Sequence, residues 1–334
     1  MRGGGAAVTG VVIGGVAASV ESENDTTVVA RLSVSASGSG TADVRVEADT
    51  GAFVVGAGLF AFVSNGTVTS ISPARGQRGT VVTVRGERLL GAGTGLSGVT
   101  LAGVEAAAVL SANDSVVVVA AARGAVGQGP AVLTANTAAV VSGGAEFEYT
   151  EEGNITQVEP SFGQAGTVVT IYGTNLLGGG SSADVVTVAD VPLSSVSSAN
   201  ESVVVGRLGS SPATSGPLEI VSDTGAIVGG SVLFTYLSET AVTLVSPSEG
   251  QYGVYVNIYG SGMLAGGTSV DEVLLGGVPA SILNSADTLV RVRAGASLDL
   301  GVGDVIVISD TGATSFLANA WTYDVPSNIT VVCV

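Results

Sequence analysis

An all-β fold, laid out as a tandem array of β-sandwich modules, is what the amino-acid sequence predicts. Apolar residues make up 46% of the chain but aromatic ones only 4%. Val, Ala, Thr and Gly dominate, a mixture that suits pleated strands joined by many turns. No long stretch places apolar residues at the 3.6-residue period of a helix, whereas several short runs alternate apolar and polar residues with the period of a strand. One pattern of Pro, Gly, Gly-Thr, Val-Thr-Ile and Gly also returns at a constant step of 87 residues, the mark of a repeat architecture.

The step is set by several landmarks. The pattern reads SPARGQRGTVVTVRGERL from Ser72, EPSFGQAGTVVTIYGTNL from Glu159 and SPSEGQYGVYVNIYGSGM from Ser246, with Pro73, Pro160 and Pro247 spaced by 87 residues. A closing aromatic pair falls at Phe60/Phe62, Phe147/Tyr149, Phe234/Tyr236 and Trp321/Tyr323 at the same step. The units expected from this grid are residues 1–63, the second part of a repeat; 64–150, 151–237 and 238–324, three full repeats; and 325–334, the start of a further one. The expectation is a segment of a longer array, with a degenerate terminal unit as the alternative. Half a sandwich would expose an apolar face and open strand edges.

Each element of a unit follows from local pattern. GTVVTVRG and GTVVTIYG alternate a Val/Ile face with a Thr/Tyr/Arg face, as a half-buried strand does. DSVVVVAA and ESVVVGRL are continuous apolar runs that fit central strands, and AEFEYTE and SVLFTYL alternate again to close the unit. Clusters of Gly, Ser, Asn and Asp between them are turn chemistry. About seven short strands per unit fit an immunoglobulin-like sandwich. Links such as TEEGN, LSETA and DVPSN are short, which favours an extended, semi-rigid rod.

The tetrapeptide Asp-Thr-Gly-Ala begins at Asp49, Asp223 and Asp310. It resembles the catalytic signature of aspartic proteases, but that chemistry needs two loops facing across one cleft and sharing a proton. These copies sit on the repeat grid, and Asn136-Thr137-Ala138 fills the remaining place. The expectation is a recurring turn, with Asp bonding the following backbone and Gly accepting a positive φ.

The charge balance narrows the function. The net charge is -17, the eleven basic residues are all Arg, and there is no His and no Lys. That excludes Ser-His-Asp triads, His-ligated metals, Schiff bases and P-loop lysines within this chain. The acidic balance repels nucleic acid and serves solubility. Asp184 and the Asp271-Glu272 pair lack the dense spacing of a calcium loop and read as solvated acidic edges. Tyr172 and Tyr259 read as outer-face residues. Cys333 is the single cysteine. It rules out an internal disulfide, and reads either as an intermolecular disulfide partner or as a buried thiol. The apolar stretch Gly3–Val20 after Met1-Arg2 has the outline of a signal peptide, yet the repeat accounts for the same residues. It is too rich in Gly and Ala for a membrane span, and no other segment is suited to one.

Asn-x-Ser/Thr sequons stand at Asn24, Asn65, Asn113, Asn154, Asn200 and Asn328. Asn113 and Asn200 are one step apart, and Asn154 and Asn328 two steps. Asn24 and Asn65 fall two residues off the strict grid, and Asp287 takes the gridded place in the last full unit. Turn preference alone accounts for the Asn but not for the hydroxyl residue two positions on, so N-linked glycans are expected at these six sites.

The motif Pro-x-x-Gly-x-x-Gly-Thr-x-Val-Thr-Ile-x-Gly-x-x-Leu, a Gly-Val-x-Ala segment and the terminal Phe-x-Tyr together resemble the IPT/TIG domain family. LAGVEA (Leu101 to Ala106) and LGGVPA (Leu275 to Ala280) supply the middle element, and VADVPL (Val188 to Leu193) is a looser copy. The resemblance covers nearly the whole chain. It implies non-catalytic immunoglobulin-like modules of the kind found in plexin-type receptors, large extracellular arrays, Rel-type transcription factors and accessory parts of glucan-processing enzymes. The expected function is therefore that of an extracellular structural glycoprotein, a rod assembling into a filament or surface appendage such as a flagellar hair (mastigoneme), cell-wall or matrix fibre. The alternatives are a cell-surface adhesion or receptor ectodomain and an accessory module of a larger secreted enzyme. Expected partners are further copies or other extracellular structural proteins and covalent glycans; no cofactor, metal or nucleic acid is expected.

Overall fold

A computed structural model describes residues 4–32 and 39–325. Asn328, Cys333 and all but the first residue of the expected 325–334 unit lie outside the described residues. Among the described residues every regular element is a β-strand. The described residues group into two compact units, one within residues 4–74, 82–119 and 128–147, the other within 75–81, 120–127 and 148–325.

In the first unit, residues up to Phe62 form one antiparallel sheet in the order Val28–Leu32, Val16–Glu23, Val8–Ile13, Gly40–Ala48, Phe53–Phe62. The stretch with a signal-peptide outline thus supplies two paired strands, with Val11 opposite Ala18. Val8, Val11 and Ile13 are buried and pack against Val44, Val46, Phe60 and Phe62. Phe53, Val54 and Leu59 remain exposed, as expected of a sheet with one apolar face in excess. The same unit pairs Thr67–Ser72 with Thr83–Glu87 and Leu96–Leu101 with Ala131–Ala135.

The second unit contains two sandwiches. In residues 154–236, Asn154–Glu159, Val168–Thr174, Val203–Arg207 and Ser195–Ala199 form one layer. Ile227–Tyr236, Thr214–Ser222, Ala183–Val188 and Val191–Pro192 form the other, joined to the first where Ile155 pairs with Gly230. In residues 241–323 the corresponding layers are separate sheets of four and five strands. The alternating strands behave as their pattern requires: Val169 and Ile171, and Val256 and Ile258, are fully buried while their neighbours are not. The closing aromatic pairs lie at the centre of each core. Phe234 meets Tyr236 edge to face at 5.3 Å, and Trp321 meets Tyr323 at 5.5 Å, the geometry that ring quadrupoles favour. The peptide bonds before Pro73, Pro160 and Pro247 are all cis. Tyr172 is half-buried and Tyr259 is 39% exposed, so both sit toward the outer face.

One position departs from the strict grid. Glu201 Oε2 accepts the Leu177 amide and Asp287 Oδ1 accepts the Leu264 amide, so Asp287 is the structural counterpart of Glu201, not of Asn200. Ala286 therefore stands in the asparagine's place. The 281–293 hairpin runs one residue early, and the 87-residue step is restored by Gly301–Ser309, the counterpart of Thr214–Ser222 in the preceding repeat. Counting along the chain cannot reveal compensating changes of one residue.

Candidate functional site at the module joint

The Asp-Thr-Gly copies are turns of one geometry. Ser222 and Ile227 flank the turn at Asp223, where the Gly225 amide donates to the Ser222 carbonyl at 2.8 Å and Gly225 has φ +80°. The same bond closes at Gly312 (φ +81°) to Ser309 and at Gly51 (φ +79°) to Ala48. Ala138 takes φ +65° in the Asn136 copy. The acidic side chain fastens a neighbouring loop of its own module. The backbone N–H of Ser181 donates to Asp223 Oδ1 at 3.0 Å, and the Ser181 hydroxyl donates to Oδ2. Thr268 donates to Asp310 Oδ2 through its amide at 2.9 Å and its hydroxyl at 2.7 Å. The Ala6 amide reaches both oxygens of Asp49 at 3.1 Å, and the Thr94 amide reaches Asn136 Oδ1 at 3.2 Å.

The bonds at Asp223 and Asp310 stabilise the ionised carboxylates. The Ser181 hydroxyl, followed by the Ser181 amide, holds Asp223 below the ordinary carboxylate range, and the Thr268 hydroxyl does the same for Asp310. That is the opposite of a proton-sharing pair. A carboxylate with a depressed folded pKa contributes stability that is present above the unfolded value, about 3.9, and is lost as pH falls through the lowered one. Replacing Asp310 by Asn, as the chain itself does at residue 136, keeps an acceptor oxygen and removes the titration. Acid unfolding followed by circular dichroism is expected to show a shallower loss of stability below pH ~4 in this variant than in the unaltered chain.

The outer edge of two of these turns docks on the preceding module, within the second unit. The Val81 amide donates to the Thr224 carbonyl and the Ile227 amide to the Arg78 carbonyl, both at 2.8 Å. One step on, the Val168 amide donates to the Thr311 carbonyl at 2.9 Å, and Arg207 Nη1 bridges the Gly166 and Gly312 carbonyls at 2.6 and 2.8 Å. A buried glutamine completes each joint. Gln77 accepts from the Gly153 amide at 2.6 Å and donates to the Ile227 carbonyl at 3.2 Å. Gln164 accepts from the Thr240 amide at 2.7 Å and donates to the Thr240 hydroxyl at 2.9 Å. Both side chains are essentially inaccessible, so their amides depend on these partners.

The loop bearing the glutamine is held rigid from behind. Thr80 Oγ1 accepts the Gln77 amide and Thr167 Oγ1 the Gln164 amide, at 3.1 and 3.2 Å. The Gly79 amide donates to Ala121 and the Gly166 amide to Leu208. Gly79, at φ +87°, has no room for a side chain: a Cβ would lie 2.5 Å from the Gly225 carbonyl oxygen. The sequence pattern marked this Gly-Gln-x-Gly loop as repeated but gave no sign that it was a contact surface. Its signal was available in the glutamine kept at 77, 164 and 251.

Beside the first joint a cleft of about 720 Å³ is lined by Arg78, Arg123, Glu152, Asn154, Asp190 and Glu219, among others. Arg123 and Glu152 pair across it at 2.9 Å. Among the described residues no group of three or more His, Cys, Asp or Glu is placed to hold a metal ion, and no helix is long and apolar enough to cross a membrane.

The sequon asparagines stand where turns need an acceptor. Asn24, Asn113 and Asn200 each accept, through Oδ1, the amides two and three residues on, at 2.8–2.9 Å. These three, with Asn65 and Asn154, are exposed.

Residues 67–149 and 154–236 each match the IPT/TIG domain model. No curated protein matches the chain. Among solved structures, the plexin A4 extracellular region with domains 1 to 10 is similar at 20% identity and a TM-score of 0.44, over 78% of this chain and 24% of that one. A second plexin A4 structure, with domains 1 to 8, shares 15% identity at a TM-score of 0.34 over 86% and 41%. Invasin, a bacterial integrin-binding protein, shares 11% at 0.26 over 94% and 71%. The chain thus spans less than half the length of the plexin chains it matches. On its repeated motif, its sandwiches and the two matched segments, the chain belongs to the IPT/TIG domain family, as a tandem array of immunoglobulin-like modules.

Proposed function

We propose that the chain is a non-enzymatic, extracellular structural glycoprotein whose modules form a rod that assembles into a filament or fibrous surface appendage. The observation that supports it best is the repeated joint: loop, turn and buried glutamine recur one step apart with the same hydrogen-bonding logic. Such joints suit a load-bearing series of modules better than a flexible string, because each must break several paired polar groups to open. Glycans at Asn24, Asn65, Asn113, Asn154, Asn200 and Asn328 would decorate the rod periodically and hinder sideways aggregation. Material secreted from a eukaryotic host is expected to lose mass on enzymatic glycan release, with site mapping assigning the loss to these asparagines. Unmodified Asn113, Asn154 and Asn200 would remove the glycoprotein reading.

A further inference from the structure

The cleft of about 720 Å³ beside the first joint lies wholly within the second unit, and its volume is that of a small-molecule site. Part of its lining is a single row across four strands. Thr187 pairs with Glu219, Glu219 with Gly229 and Gly229 with Asn154, so the four positions share one face of the sheet. Their chain neighbours Val186, Ile220 and Ile155 are buried in the core, which sets the row on the outer face. Gly229 leaves the middle of the row bare: a Cβ there would meet only the Leu218 carbonyl oxygen, at 3.8 Å. Asn154 and Glu219 stand two strand spacings apart, ~10 Å.

Asn154 opens the sequon Asn154-Ile155-Thr156. Arg78 and Arg123 of the preceding module, and Glu152 of the link, line the same cleft. Arg78 Nε and Glu152 Oε1 are enclosed there and make no hydrogen bond. A donor and an acceptor thus call for a partner, and a hydroxyl can serve either. Guanidinium groups and the carboxylates of Glu152, Asp190 and Glu219 stand together in the lining, a mixture that suits a neutral polyhydroxylated ligand better than a strongly charged one. The second joint lacks the set. Ser210 stands one step from Arg123 and bonds Glu239 as Arg123 bonds Glu152. Ala165 and Ala241 stand one step from Arg78 and Asn154. The arginines and the sequon occur together at one joint and are absent together from the next.

We infer that this cleft seats the inner sugars of an N-linked glycan carried by Asn154. The inference rests on the glycoprotein reading proposed above. The host's transferase makes the bond: Asn154 Nδ2 displaces the diphosphate of an activated oligosaccharide at its anomeric carbon and gives up one proton. The first sugar lies over Gly229, and the next reaches Glu219 and Thr187, whose side-chain oxygens accept from its hydroxyls. Arg78 and Arg123 donate to sugar oxygens from the preceding module, so the glycan core stands between the two modules of the joint.

The test follows release of each glycan from the folded, full chain secreted by a eukaryotic host. Peptide N-glycosidase leaves Asp at every site it clears, so mass mapping gives a rate for each asparagine. Release at Asn154 is expected to be about tenfold or more slower than at Asn113 and Asn200, because charge-assisted hydrogen bonds hold its sugars against the surface. In the denatured chain the three rates converge. Gly229→Leu fills the bare place in the row, and Glu219→Ala removes an acceptor at an exposed position without touching the core. Each brings the Asn154 rate toward that of Asn200. If Asn154 is cleared as fast as the other two, or stays slow in both variants, the seat falls and the glycoprotein reading stands. The same holds if Asn154 is unmodified while Asn113 and Asn200 carry glycans. If all three asparagines are unmodified, both fall.

Discussion

Replacing Gly79 by Val is expected to open the first joint while leaving both flanking sandwiches folded. A β-branched residue at φ +87° carries about 1–3 kcal/mol of backbone strain. Its Cβ would also lie 2.5 Å from the Gly225 oxygen and 2.5 Å from the Ile227 side chain. Neither neighbour can yield alone, since one is backbone and the other sits on a strand that begins there. The docked arrangement must separate, and the Val81, Gly153 and Ile227 amides lose their partners together. Together these terms make a penalty of about 2–4 kcal/mol on the joint, read as exchange at those amides rising by about two orders of magnitude. Exchange at Val169 and Ile171, inside the next sandwich, is expected to stay slow.

Trp321→Ala is expected to have the largest effect on stability. Trp321 is fully inaccessible, stacks edge to face on Tyr323, and reaches the loop so closely that a Cβ on Gly250 would sit 3.2 Å from its ring. Truncation leaves a cavity that surrounding Val and Leu side chains cannot fill, at a cost of about 3–5 kcal/mol. That is a large part of the stability of a domain this size. The loss falls on residues 241–323, so urea unfolding followed by circular dichroism should become biphasic, with the 154–236 sandwich unfolding near its original midpoint.

Strands, cores and turns were legible because each leaves a side-chain signature. Val169/Ile171 and Val256/Ile258 alternate, the closing aromatics keep their step, and Asp-Thr-Gly carries its own turn chemistry. The joint was not legible for the same reason. Its central bonds, Val81 to Thr224 and Val168 to Thr311, join backbone to backbone, which any residue can supply. Gln77 and Gln164 carry no mark of burial in the sequence, since glutamine is mostly exposed; their side-chain amides bond groups of the next module. Asp287 shows the converse, a residue on the numerical grid that structure moves by one place. The Asp-Thr-Gly turn is legible as a recurring turn on the repeat grid, and its second role, as the part that one module presents to another, comes only from its neighbours in space.

Native-state hydrogen exchange on the unaltered chain tests that role most directly. The Val81, Val168 and Ile227 amides find their acceptors in an adjacent module, as do the Gly153 and Thr240 amides in the buried glutamines. If the turns and loops dock as described, all five exchange slowly, far below the rate of exposed loop amides. Exchange of these amides at the rate of free loops, with the sandwich cores still protected, would contradict the account.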